Sequence, residues 1–146
     1  MKRLKRLRTH TLITAILFAT VLKTVGVAEP YTPSGAERKA ILDALREPVS
    51  RQLEQPVEFV VEKIAVSGEW AFVILQPQRP GGGKIEYAYT RYQAAVDEGI
   101  FGAEVIALLR QTPKGWLTYE YELGSTDVPW VDWPSRYPVP AEIFPH

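Results

Sequence analysis

Cysteine is absent from all 146 residues, so disulfides, thiolate nucleophiles, iron–sulfur clusters and cysteine zinc sites are excluded. Asparagine is absent too, which leaves no N-glycosylation sequon. Histidine occurs only as His10 and His146. No imidazole therefore lies inside the body of the chain to activate a serine or threonine nucleophile. Transition-metal binding loses its preferred imidazole and thiolate ligands on the same count. No apolar run reaches the about 20 residues that a membrane-spanning helix needs. What is present is ordinary globular composition, 46% hydrophobic and 23% charged, in a length that suits one core.

The first residues differ from the rest. Lys2, Arg3, Lys5, Arg6 and Arg8 come without a single acid, and a mostly apolar run from Thr11 to Leu22 follows, closed by Lys23. Gly26 and Ala28 then give a small-x-small ending. These are the parts of a secretory signal peptide. An uncleaved anchor or a surface helix would use the same residues, but the small-x-small ending points to cleavage after Ala28. The expected division is a signal peptide over 1–28 and a single domain over 29–146. Arg-Arg does not occur and no cysteine follows, so the general export route is expected, without lipid attachment, to a bacterial periplasm or beyond. Loss of the leader leaves eleven basic against seventeen acidic residues, a net charge of −6. An acidic chain is a poor partner for nucleic acid or for anionic lipid.

Along the mature segment, Ser34 stands three residues before Glu37, the spacing of a helix capping box. Ile41, Leu45, Val49 and Leu53 recur every four residues, which predicts one helix over Ser34–Leu53, bent at Pro48. Val57, Phe59 and Val61 share one strand parity, while Ile64 and Val66 share the other, so a bulge is expected near Lys63. Ser67-Gly68-Glu69 reads as a turn. Trp70–Leu75 and Val105–Leu109 are apolar on both parities, as in strands covered on both faces. Gln76–Lys84 holds two prolines and three glycines and is expected to be a mobile loop. Ile85–Tyr92 is an edge-strand candidate, and Arg91–Glu98 a short helix stopped at Gly99. Thr112–Gly115 is a hairpin turn. After it Leu117, Tyr119, Tyr121 and Leu123 alternate with Thr118, Glu120 and Glu122. From Gly124 prolines recur, and Trp130, Trp133, Tyr137 and Phe144 are placed to strap across the body. The short connections exclude a parallel sheet. The expected fold is α+β: one long N-terminal helix on a curved antiparallel sheet of about four strands, a short second helix, and an aromatic, proline-rich tail.

Few constellations carry chemistry. Gly81-Gly82-Gly83-Lys84 lacks the first glycine and the final serine or threonine of a phosphate loop, with Gln78 and Ile85 in those places. Glu120 and Glu122 share a strand face and are the best candidates for acid/base work, with Asp127 nearby, yet solvated glutamates are expected there. The aromatics are the surplus. Trp130 and Trp133, with Tyr87 and Tyr89 upstream, are candidates for stacking on a sugar ring or a peptide proline. The same rings can instead close the open side of a small core.

The segments Gly68-Glu69-Trp70-Ala71-Phe72-Val73 and Gly115-Trp116-Leu117, with the first helix, give a layout that resembles small exported proteins of cystatin-like and NTF2-like architecture. That resemblance implies a helix lying on a curved antiparallel sheet. It does not carry over either activity. The chain lacks the Q-x-V-x-G hairpin of cystatin inhibitors and has no histidine to stand inside an NTF2-like cone. The functional expectation is an exported, non-enzymatic envelope protein that binds a protein or cell-wall glycan and needs no cofactor. Two other readings stay open, a carboxylate-dependent hydrolase and an inhibitor or immunity-type partner of another exported protein.

Overall fold

The computed structural model describes residues 28–146, so the expected signal peptide lies, Ala28 apart, outside the described residues. Helix α1 runs from Gly35 to Leu53. Its fourfold repeat buries Ile41, Leu45, Val49 and Leu53 on one line, as the spacing predicts. The capping box does not form. Ser34 takes the N-cap position without a side-chain bond, and the Glu37 carboxylate accepts the Tyr31 hydroxyl at 2.9 and 3.1 Å. Pro48 stays inside the helix. At the other end Glu54 closes the helix in the left-handed region, φ 58°, and Gln55 N–H returns to Ser50 O at 3.1 Å.

Strands β1 (Glu58–Ser67), β2 (Trp70–Gln78), β3 (Val105–Thr112) and β4 (Gly115–Leu123) follow. They form one open antiparallel sheet in the order β1-β2-β3-β4. Helix α2 (Gln93–Asp97) interrupts the long connection between β2 and β3. The expected bulge is present: the β1 register shifts between Val61 and Lys63. That shift lets Val57, Phe59 and Val61, then Ile64 and Val66, all face α1.

Both faces of the sheet are covered. On one side Ala71, Val73, Leu75, Val105, Ala107 and Leu109 pack beneath α1. On the other, Trp70, Phe72, Ile106 and Leu108 meet Trp133, Val139, Ile143 and Phe144 of the tail. The tail holds a four-residue helix, α3 (Trp133–Arg136), between two 3-10 turns, and its proline spacing excludes anything longer. The molecule therefore has three layers: helix, sheet and aromatic strap. Among the described residues no helix is long and apolar enough to cross a membrane.

Three further expectations need correction. Ile85–Tyr92 is not a strand. The Gln55 side chain occupies the place of a neighbouring strand, donating to Glu86 O at 2.7 Å and accepting from Glu86 N–H at 3.0 Å, and the chain then turns at Tyr87–Thr90. Gln76–Lys84 is not an open loop either. β2 continues to Gln78, and Arg79 bridges Gly83 around a tight turn. Gly81 and Gly82 supply its positive φ angles of 85° and 92°. Finally, β4 does not keep one alternation. Its register shifts at Tyr119, opposite Leu108 and Leu109. Tyr121 and Leu123 face α1, whereas Tyr119 turns to the strap side.

Candidate functional site

The bulge at Tyr119 brings together residues that are far apart in sequence. Tyr119 meets Trp70 edge-on at 5.2 Å and Tyr137 edge-on at 5.2 Å. Trp70 comes from the start of β2 and Tyr137 from the residue after α3, so three separate segments converge at this point. Trp70 is buried, while Tyr119 is 48% exposed and Leu117 beside it 52% exposed. Two guanidinium groups frame the rings. Arg110 lies over Trp70 at 5.3 Å and Arg136 over Tyr137 at 5.2 Å.

Acids hold those arginines in place. Arg110 donates to Glu69 at 2.8 Å. Arg136 donates to Glu120 at 2.7 Å and reaches Asp132 at 3.2 Å, one helical turn back. The Tyr137 hydroxyl donates to the second oxygen of Glu120 at 2.5 Å, and this bond raises the phenol above its ordinary value. Each guanidinium is thus fixed in orientation, Arg110 over the buried Trp70 and Arg136 over the half-buried Tyr137. Tyrosine, tryptophan and arginine arranged in this way are the residue types that dominate protein-binding hot spots. Flat rings flanked by planar polar groups equally suit a sugar face.

The residues expected from sequence fall into two separate places. Trp133 is 0% exposed and packs with Phe72 and Phe144, each at 6.2 Å. Its indole N–H is buried without a partner among the described residues. Trp130 is half-buried, edge-on to Phe72 at 5.4 Å, so the two tryptophans share Phe72 and belong to the strap layer. Tyr87 lies on the α1 side of the molecule against Phe101 at 5.0 Å, and burial raises its phenol pKa. Tyr89 stands alone, 98% exposed in the left-handed region at φ 68°. These four residues do not form one site.

The carboxylates are arranged differently from the sequence expectation. Glu120 accepts from both Arg136 and Tyr137, so its two oxygens are already bonded. The acids that do meet are Glu62, at the β1 bulge, and Glu104, just before β3. Burial raises the Glu104 carboxyl, and the adjacent Glu62 carboxylate raises it further. Sequence reasoning missed this pair because only the β1–β2–β3 pairing joins the two segments. Among the described residues no group of three or more histidines, cysteines, aspartates or glutamates is placed to hold a metal ion.

Sequence reasoning also missed Tyr119, Arg110 and Arg136. The alternation of β4 carried no signal for Tyr119, which shares the apolar parity of Leu117, Tyr121 and Leu123. Comparison with protein-family models, with curated proteins and with solved structures finds no match to this chain.

Proposed function

We propose that this is an exported binding protein of the bacterial cell envelope, without catalytic activity, that recognises a protein or a cell-wall glycan through the surface around Tyr119. The observation that carries the reading is the half-exposed Tyr119 ring held between Trp70 and Tyr137 and flanked by Arg110 and Arg136. The exposed Tyr119 and Leu117 give a small apolar patch beside two oriented guanidiniums, residue types that suit a partner surface. Export is supported by the basic and apolar leader, and the acidic mature composition speaks against nucleic acid. The arrangement of one helix on an antiparallel sheet is in keeping with cystatin-like and NTF2-like domains, with the strap as an added layer. No cofactor enters this reading, and no membrane span is needed after cleavage.

The test is a comparison of the wild-type chain with Tyr119→Ser and Arg110→Gln in pull-down from envelope extract and in co-sedimentation with peptidoglycan. The wild-type chain should retain a protein or the glycan, and both variants should lose it while remaining fully folded at the assay temperature. Retention by both variants at wild-type levels would remove the surface from consideration. A turnover assay of Glu120→Gln addresses the hydrolase alternative: no activity is expected in either form.

A further inference from the structure

The strap is attached to the rest of the molecule by side chains alone. The strands hold one another through ladders, and the N-terminal arm joins β1 through two main-chain bonds between Tyr31 and Val66, at 2.9 and 2.8 Å. Among the described residues, 128–146 have no such tie. Their main chain bonds only within the tail, as from Tyr137 N–H to Trp133 O at 2.9 Å and from Phe144 N–H to Ala141 O at 3.2 Å. Pro129, Pro134, Pro138, Pro140 and Pro145 remove further donors. What docks the tail is Trp133, Val139, Ile143 and Phe144 against Trp70, Phe72, Ile106 and Leu108. The polar bonds that join it to the sheet end on one carboxylate: Arg136 donates to Glu120 at 2.7 Å, and the Tyr137 hydroxyl donates at 2.5 Å.

The body is closed off just before the strap begins. Gly124 N–H donates to Glu104 O at 3.2 Å, and Gly124 O accepts from Gly102 N–H at 3.1 Å. Residues 126–128, in contrast, are exposed and belong to no helix or strand. Phe72 seats the strap at several points at once, with Trp130 at 5.4 Å, Trp133 at 6.2 Å and Phe144 at 5.1 Å, so these contacts form and break together. Undocking forfeits apolar burial but returns backbone entropy for every residue set free. It also returns the partnerless Trp133 indole N–H to water. A segment that breaks no ladder on leaving lies at the low end of the local stabilities within a fold.

We propose that residues 129–146 form a latch that undocks as one unit about residues 126–128, while α1 and the four strands stay folded, with Glu120 as its catch. Undocking lifts Arg136 and Tyr137 away from Tyr119 and bares the sheet face at Trp70, Phe72, Ile106 and Leu108. The closed form assembles the surface around Tyr119, and the open form lacks its Arg136 and Tyr137 side. The latch is a property of the free chain and holds whether or not that surface takes a partner.

Native-state hydrogen exchange of the ¹⁵N-labelled full chain tests this. The amides of Tyr137, Ile143 and Phe144 and the Trp133 indole N–H should share one opening constant, at least about tenfold larger than that of the slowest amides in β2 and β3. That opening should also depend less steeply on urea than opening of the sheet, because it exposes less surface. Glu120→Gln should raise the strap's opening constant about fivefold and leave β2 and β3 unchanged. Strap amides that open in step with β2 and β3 would overturn the proposal, making the strap an inseparable part of the core. So would opening constants that fall steadily from Phe144 inward to Tyr137, the mark of fraying from the end, or wild-type strap exchange in Glu120→Gln.

Discussion

Thr118 on β4 donates its hydroxyl to the Ala44 carbonyl of α1 at 3.0 Å, and Pro48 is the reason. In an unbroken helix the amide four residues on would bond that carbonyl, but proline has none. A strand hydroxyl supplies the missing donor, so a sequence feature that breaks helices becomes a link between helix and sheet.

Removal of that donor should therefore matter only while Pro48 is present. Thr118→Val is expected to destabilise the chain by about 1–2 kcal/mol, because the Ala44 carbonyl is left without a partner. In a Pro48→Ala background the same change should be near neutral, since the substitution returns a backbone N–H to that position and restores the helical bond. A double-mutant cycle by urea denaturation measures the coupling directly. Equal losses in the two backgrounds would mean that Thr118 acts by packing alone.

Gly124 closes the molecule at the end of β4. It has φ 84°, and a Cβ there would stand 2.0 Å from the Phe101 ring. Gly102 N–H donates to its carbonyl at 3.1 Å, which fixes the segment leading into β3. Gly124→Ala should destabilise by about 2 kcal/mol or more through strain and overpacking together. Amide exchange should speed up first around Phe101 and Gly102, and uniform exchange across the sheet would contradict that localisation.

Glu104 gives a pH dependence with a definite sign. Its folded carboxyl titrates above the unfolded value of 4.5 because burial, and then Glu62, disfavour the ionised form. The folded state thus holds this proton more tightly. Its favourable contribution is complete below 4.5 and is lost as pH rises through the higher folded value. Glu104→Gln should match the wild-type chain at about pH 3.5 and exceed it in stability at about pH 7. Denaturant midpoints at the two pH values check this, and a variant less stable at pH 7 would reverse the sign.

Trp133 and Tyr119 should separate stability from recognition. Trp133→Ala empties the centre of the strap and is expected to cost about 3–5 kcal/mol. Tyr119→Ser removes a half-exposed ring and should cost about 1 kcal/mol. Thermal unfolding of the two variants distinguishes them, and the reverse order would make Tyr119 a core residue.

The layers were legible in the sequence because each rests on a period. Ile41, Leu45, Val49 and Leu53 marked the helix, and the doubly apolar Trp70–Leu75 and Val105–Leu109 marked strands covered on both faces. The β1 bulge was visible because it changes parity between Val61 and Ile64. The β4 bulge was not, because Leu117, Tyr119, Tyr121 and Leu123 alternate as if it were absent. That miss concealed the site, since only the bulge turns Tyr119 toward Trp70 and Tyr137. Local side-chain bonds concealed the rest. The Glu37 carboxylate accepts the Tyr31 hydroxyl, and the Gln55 amide takes the place of a strand beside Glu86.

Photo-crosslinking in living cells that express the chain is the sharpest check on recognition through Tyr119. A photoreactive phenylalanine replaces Tyr119 in one chain, Tyr89 in a second and Val131 in a third, all of them surface positions. An adduct with a protein or glycan is expected from position 119 and none from positions 89 and 131. Adducts from either control position with none from 119 would place recognition elsewhere on the molecule and contradict the proposed function.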